Sequence, residues 1–300
     1  MQGLRIGHFT QTEHGTGASV FLFDKPALGA YYLCGSSPAS HEIACLDLAA
    51  NVTHLNGLGL FGGSAFGLNA VAGMMRWLNE QNRGWKVPHG VVPIVPAAAI
   101  YDLSVKAALP PTPDDAYSAC GAATEDNRDS GRIGAGTGAS VGKLVPGTKR
   151  MTGGLGRAEI TLENGASVIV YAVVNAVGDI RDISGKIIAG GRDDNDEIVN
   201  GEAWLLEGNA ERRLGQSANT TLIAIFTNAK FSKVELYRIA KMATAGMARA
   251  ITPAFTRYEG DIIFAVSLGE IEALELVIGA SATSLTQHAI MNAVQDSVVL

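Results

Sequence analysis

Cysteine is scarce. Cys34, Cys45 and Cys120 are the whole set, and no two are spaced as Cys-x-x-Cys. An odd, scattered trio argues against a disulfide framework or a zinc cluster, and it fits a reducing compartment, so a cytoplasmic protein is expected. A basic excess is also lacking. Lysine and arginine number 23 against 29 aspartates and glutamates, a net charge of −6. That balance argues against a binder of nucleic acid or of anionic membranes. No apolar run of 18 residues is free of polar interruption, so no transmembrane span is expected. The opening MQGLRIGHFTQTEHG has no long apolar stretch of the signal-peptide kind.

What the chain has in quantity is apolar residues, 47 % of 300, which is enough for a sizeable core. Glycine numbers 36 without a G-X-Y period, so the glycines mark tight turns and close backbone approaches. The apolar residues 18–23 and 30–34, bounded by Gly and Pro, predict two strands. A helical stripe of Phe66, Ala70, Met74 and Leu78 starts at Ser64 and stops at Gly84. The proline-interrupted segment 91–103 reads as a buried connection or edge strand. Asn164-Gly165 between two apolar runs predicts a hairpin. Residues 181–218 turn polar and read as a long solvated connection, ending abruptly at the apolar run 220–227. Ser232 and Glu235 form a capping box for a helix, residues 261–267 suit a strand, and a last helix is expected over 283–298. Apolar strands with amphipathic helices predict a layered α/β architecture.

Several familiar patterns fail on inspection. GAGTGASVGKL lacks a phosphate loop's first glycine, which is Thr137 here, and Leu144 follows Lys143 where a hydroxyl is required. The looser dinucleotide form through Gly134, Gly136 and Ala139 lacks a preceding core strand. Gly62-Gly-Ser-Ala-Phe-Gly67 has Phe66 at the second glycine of a nucleophile elbow, so a tight turn with Ser64 capping a helix explains it better. His41-Glu42 lacks the second histidine of a zinc helix, and Asp193–Glu197 has Ile198 where a calcium loop needs glycine.

Asn219-Thr220 carries more. Thr220 is the first residue of a buried-type strand that follows a long polar stretch. A cut before it would place a free α-amine, pKa about 7.7–8.0, beside its own hydroxyl, combining base and nucleophile in one residue. An ordinary strand start, where threonine is favoured, explains the same residue.

Six segments in order then resemble one family. They are Gly62–Gly67, Val92–Asp102, Gly134–Gly138 with Gly142-Lys143, Val173–Gly178, Asn219–Thr221 and Glu259-Gly-Asp261. Together they resemble the DmpA-type L-aminopeptidase/D-esterase family of N-terminal-nucleophile hydrolases, which includes the nylon-oligomer (6-aminohexanoate) endo-hydrolases. The resemblance runs from Arg5-Ile-Gly-His8 to the final helix. It implies a four-layer αββα sandwich over residues 1–300, self-cleavage between Asn219 and Thr220 into residues 1–219 and 220–300, and an amide- or ester-hydrolysing site with Thr220 as nucleophile. It implies no metal or organic cofactor, and a homo-oligomer, a tetramer of αβ units.

Further roles follow from matched positions. Asn175 matches the oxyanion-hole asparagine; a turn asparagine is the plain alternative. Lys143 matches a lysine near the nucleophile in the nylon-hydrolase branch, where an ammonium would keep the Thr220 amine unprotonated; a surface lysine after a glycine turn is its alternative. Tyr101 matches a tyrosine beside the site, or is a core tyrosine satisfied locally. Glu259 and Asp261 match paired acidic or hydroxyl positions, and at i and i+2 of a strand they would face one side, towards the Thr220 amine or a substrate ammonium; otherwise they belong to a turn. One segment departs from the aminopeptidase branch: Pro38-Ala-Ser-His-Glu42 has His41 where that branch has arginine. The departure bears on specificity and leaves the hydrolase chemistry unchanged. The expected substrates are short peptides, amino-acid amides or esters, or aminohexanoate oligomers. The competing readings are an acyltransferase of the ornithine-acetyltransferase kind, and an uncleaved binding protein.

Overall fold

The computed structural model describes residues 1–209 and 219–300. Two sheets share one strand. β1 (Leu4–Gln11), β2 (Thr16–Leu33), β3 (Ala39–His41), β4 (Leu55–Phe61) and β5 (Ala97–Ala99) make the first. β6 (Gly154–Thr161), β7 (Ser167–Asn175), β10 (Thr220–Ala229) and β12 (Ile262–Ile271) make the second, together with the far end of β2. The strand order is β6-β7-β10-β12-β2-β4-β5-β3, with β1 beside β2. Between β7 and β12 in the chain, β8 (Asp179–Arg181) and β9 (Ile187–Ala189) form a small sheet with β11 (Ile251–Thr252).

β2 accounts for the first departure from expectation. The two strands predicted on either side of Pro26 are one strand of 18 residues. Its pairing with β4 shifts register between Leu22 and Ala27, so the proline falls where the ladder is already interrupted. Before the shift β2 pairs with β1 and β4; beyond it, Leu28–Leu33 pairs with β12.

Alternation along the strands separates three cores. Leu222, Ala224 and Phe226 of β10 meet Phe21, Tyr171 and Phe264 between the sheets. Ile223 and Ile225 face α4 (Lys233–Ala250) and α5 (Glu275–Asn292). On the outside of the first sheet, Val20 and Leu22 meet α1 (Val71–Glu80) and α2 (Pro113–Gly121). The layers therefore run helix, sheet, sheet, helix.

The Asn164-Gly165 hairpin forms, with Thr161 opposite Ser167, and the Ser232–Glu235 capping box opens α4. Three other expectations are corrected. Gly63 (φ 81°) and Ser64 (φ 56°) both lie in the left-handed region, and Ser64 caps nothing. An N-cap needs extended backbone, so the chain instead makes one helical turn, Ser64–Gly67, and a 3₁₀ turn before α1, with Phe66 72 % exposed. The last helix runs Glu275–Asn292, earlier than the expected 283–298; its first turns expose Leu276 and Val277, so no one-sided apolar stripe marks its start in the sequence. The polar stretch after Arg181 includes β9 and a short helix, α3 (Gly201–Leu206). The part of that stretch at 210–218, including Glu211-Arg212-Arg213, lies outside the described residues. Among the described residues no helix is long and apolar enough to cross a membrane.

Candidate active site

Thr220 opens β10, where TTLIAIFTNA is rich in β-branched residues and all but Asn228 are buried. Strand pairing places it directly opposite Asn175, the last residue of β7. On the other side the parallel ladder with β12 extends one step beyond the strand, pairing Asn219 with Glu259. The Thr220 side chain is nearly enclosed, and its hydroxyl donates to the Asn219 carbonyl at 2.5 Å. That carbonyl also accepts the Gly260 N–H at 2.9 Å, and the Asn219 N–H donates to the Tyr258 carbonyl at 3.1 Å. Gly260 has no room for a side chain: a Cβ there would lie 2.5 Å from the Ser37 carbonyl oxygen and 3.0 Å from Thr220 Oγ1. The Ser37-Pro38 segment is thus packed beside the nucleophile candidate.

Asn175 is fully buried and held from three directions. Its Oδ1 accepts the Ser140 N–H at 3.1 Å and the Lys143 ammonium at 2.8 Å, while its Nδ2 donates to the Tyr101 carbonyl at 3.0 Å. Two donors on one atom fix which end of the amide is oxygen. An amide NH₂ carries two hydrogens, so one remains after the Tyr101 bond.

Lys143 reaches this network because Gly142 and Lys143 pair with the turn after β7, through Gly142 N–H to the Gly178 carbonyl and Lys143 N–H to the Val177 carbonyl. Gly142 has φ 72°, and a Cβ on it would lie 2.0 Å from the Gly190 carbonyl carbon. Part of the lysine's surface stays accessible, but its ammonium is packed among protein atoms. Burial lowers its pKa to about 7, helped by Arg150 and opposed by Glu259 and Asp102.

The acidic pair does something other than expected. Glu259 and Asp261 precede β12, so strand alternation does not govern them. Their hydrogen bonds run to main-chain amides: Glu259 accepts Val177 N–H at 3.2 Å and Thr256 N–H at 2.9 Å, and Asp261 accepts Thr221 N–H at 2.6 Å. They clamp the turns around Thr220. Both carboxyls are buried, and burial raises both pKa values; for Asp261 the Glu259 charge adds to the rise. Lys143 opposes the shift at Glu259.

Thr220, Asn219, Asn175 and Lys143 therefore converge, with Glu259 and Asp261 bracing them. Tyr101 enters this network through its carbonyl. Its neighbour Asp102 joins the site without having stood out in the sequence. Buried, it accepts Gly63 N–H at 2.6 Å and the Thr16 hydroxyl at 2.8 Å, and so fixes the Gly62–Ser64 turn. Burial raises its pKa to about 6. The one signal was a lone acid closing an apolar run. The rejected motifs stay rejected: Gly134–Gly136 is a 3₁₀ turn, and the Asp193 carboxylate accepts the Asn195 and Glu197 amides of its own loop.

The model of the family described as Peptidase family S58 matches residues 1–299. An uncharacterized aminopeptidase of Mycobacterium leprae is 36 % identical over 291 residues, covering 91 % of this chain and 78 % of its own. A 6-aminohexanoate-oligomer endohydrolase of Kocuria sp. is 31 % identical over 291 residues, covering 96 % of this chain and 79 % of its own. Among solved structures, the L-aminopeptidase D-Ala-esterase/amidase of Ochrobactrum anthropi, described as a new variant among the Ntn hydrolase fold, matches with a TM-score of 0.75 at 16 % identity, over 98 % of this chain and 84 % of that one. The expected N-terminal-nucleophile-hydrolase architecture of DmpA type is the one observed.

Proposed function

The chain belongs to peptidase family S58 and is a hydrolase acting on amide bonds, and on that premise we propose that it activates itself by cutting before Thr220 and then uses Thr220 as its nucleophile. The observation that carries the reading is the Thr220 hydroxyl resting on the carbonyl of the residue before it, 2.5 Å from oxygen to oxygen, with the Asn175 amide across the strand pair. In the first reaction Thr220 Oγ attacks the Asn219 carbonyl carbon, the peptide nitrogen leaves as the new α-amine, and water hydrolyses the ester. Residues 1–219 and 220–300 stay together, since β10 pairs with β7 and β12 with β2 across the cut.

In turnover the α-amine takes the Thr220 hydroxyl proton as Oγ attacks a substrate amide, and returns it to the leaving amine. The free hydrogen of Asn175 Nδ2 stabilises the oxyanion. Water then releases the acyl group. Lys143 keeps Asn175 oriented, and its positive charge lowers the proton affinity of the α-amine. Glu259 and Asp261 hold the strand ends in place through the Val177, Thr256 and Thr221 amides. Tyr101 positions Asn175.

The substrates are short peptides, amino-acid amides or esters, or aminohexanoate oligomers. The names of the Mycobacterium leprae and Kocuria relatives support the two ends of that range. A tetramer of cleaved units is the expected assembly, and exposed Leu274, Leu276 and Val277 at the start of α5 are compatible with subunit contacts. The cytoplasm is the expected compartment. Thr220→Ala should abolish hydrolysis of amino-acid p-nitroanilides and of aminohexanoate oligomers alike; turnover surviving in that variant would refute the assignment.

A further inference from the structure

In the uncut chain, Asn219 is the acyl residue about to move onto Thr220 Oγ, and two backbone groups hold it. Its N–H donates to the Tyr258 carbonyl at 3.1 Å, and its carbonyl accepts the Gly260 N–H at 2.9 Å. These are ladder bonds of a strand pair carried one residue past β10. The segment 258–261 is fixed independently of Asn219. Ser37 N–H donates to the Glu259 carbonyl at 2.9 Å, and the Cys34 and Gly35 amides donate to the Asp261 carbonyl at 2.9 and 3.0 Å. The Glu259 carboxylate takes Val177 and Thr256 amides, and the Asp261 carboxylate takes the Thr221 amide. Departure of residue 219 would leave this frame standing.

Resting on the reading of Thr220 as the nucleophile freed by cleavage, we propose that the Tyr258 carbonyl and the Gly260 amide, vacated by Asn219, become the subsite for the substrate's acyl residue. The self-cleavage ester and the substrate acyl-enzyme are esters of the same oxygen, so the two acyl groups share one place. The substrate carbonyl takes the Gly260 N–H. The Tyr258 carbonyl asks for an N–H on the carbon next to that carbonyl, as Asn219 supplies. An α-amino acyl group meets this demand. A 6-aminohexanoyl group carries its nitrogen at the far end of its chain and leaves the Tyr258 carbonyl without that donor, and a simple acyl group supplies none. The subsite thus selects by position of nitrogen, through backbone atoms that side-chain substitutions do not remove.

The test uses the processed enzyme with alanyl, propionyl and 6-aminohexanoyl p-nitroanilides. The expected kcat/KM for the alanyl substrate exceeds both others by ~10-fold or more, the worth of one hydrogen bond from a charged donor. A crystal of the processed enzyme with alanine bound should place the amine nitrogen within hydrogen-bond distance of the Tyr258 carbonyl oxygen. Equal rates, or an amine seated on the Glu259 or Asp261 carboxylate instead, would overturn the subsite while leaving the nucleophile in place. An uncut chain would overturn both.

Discussion

Asn175 is the residue whose geometry demands most from its surroundings. Three residues fix its amide and its carbonyl through four hydrogen bonds: Ser140, Lys143 at two points, and Tyr101. Such pre-organisation matters because a donor that need not reorient when charge develops stabilises the transition state more than the ground state. Asn175→Ala should lower kcat by ~10²–10³ with a small effect on KM; a change confined to KM would place the residue in ground-state binding. Lys143 adds a titration. In the proposed cleaved enzyme its charge would hold the Thr220 amine in its unprotonated, basic form, so Lys143→Met should move the acidic limb of the kcat/KM profile upward, towards the ~7.7–8.0 of an ordinary α-amine. A lower but unshifted profile would leave the lysine the single task of orienting Asn175.

Elements decide how these residues meet. β7 and β10 end at the same level, so their last and first residues face each other, and the glycine-rich segment delivers Lys143 to that level. Gly142→Ala would force a Cβ against the main chain at Gly190 and Gly191 and strain a left-handed φ. It should cost ~1–3 kcal/mol of stability and slow processing together, readable by denaturant midpoint and by cleavage rate; normal processing in that variant would show that Lys143 reaches Asn175 some other way. Much of this was legible in the chain. Thr220 stood out because a polar stretch gave way at once to a β-branched run, and Asn175 because it closed one. The misses have physical causes. Pro26 looked like a strand end, yet the ladder had already slipped there. Glu259 and Asp261 were read by strand alternation, but they stand before the strand and serve backbone amides. Asp102 and Gly260 act on Gly63 and Ser37, contacts far apart in the chain that no local pattern encodes.

At the scale of the molecule, the site is a buried set of ionisable groups, and the protein's stability should record it. Asp102 titrates at about 6 when folded against an ordinary 3.8. The folded chain therefore holds more protons than the unfolded chain between those values, and this group's contribution to stability falls as pH rises through that window and stays low above it. Asp102→Asn removes the titration. Its stability relative to the parent should improve from pH 4 to pH 7 by ~3 kcal/mol at most, following a shift of about two units. A difference that stays flat across that range would mean Asp102 is not shifted. Glu259 and Asp261 act in the same direction. Burying these carboxyls destabilises the fold at neutral pH, and in return it supplies a dry, rigid frame around one hydroxyl.

Under the proposed function this hydroxyl cuts its own chain. Intact mass spectrometry of the freshly purified protein beside Thr220→Ala tests it most directly. Two species are expected from the parent, residues 1–219 and 220–300, with masses summing to the 31.2 kDa chain plus one water, and one uncut species from the variant. A single 31.2 kDa species from both proteins, or a cut at any other bond, would contradict it.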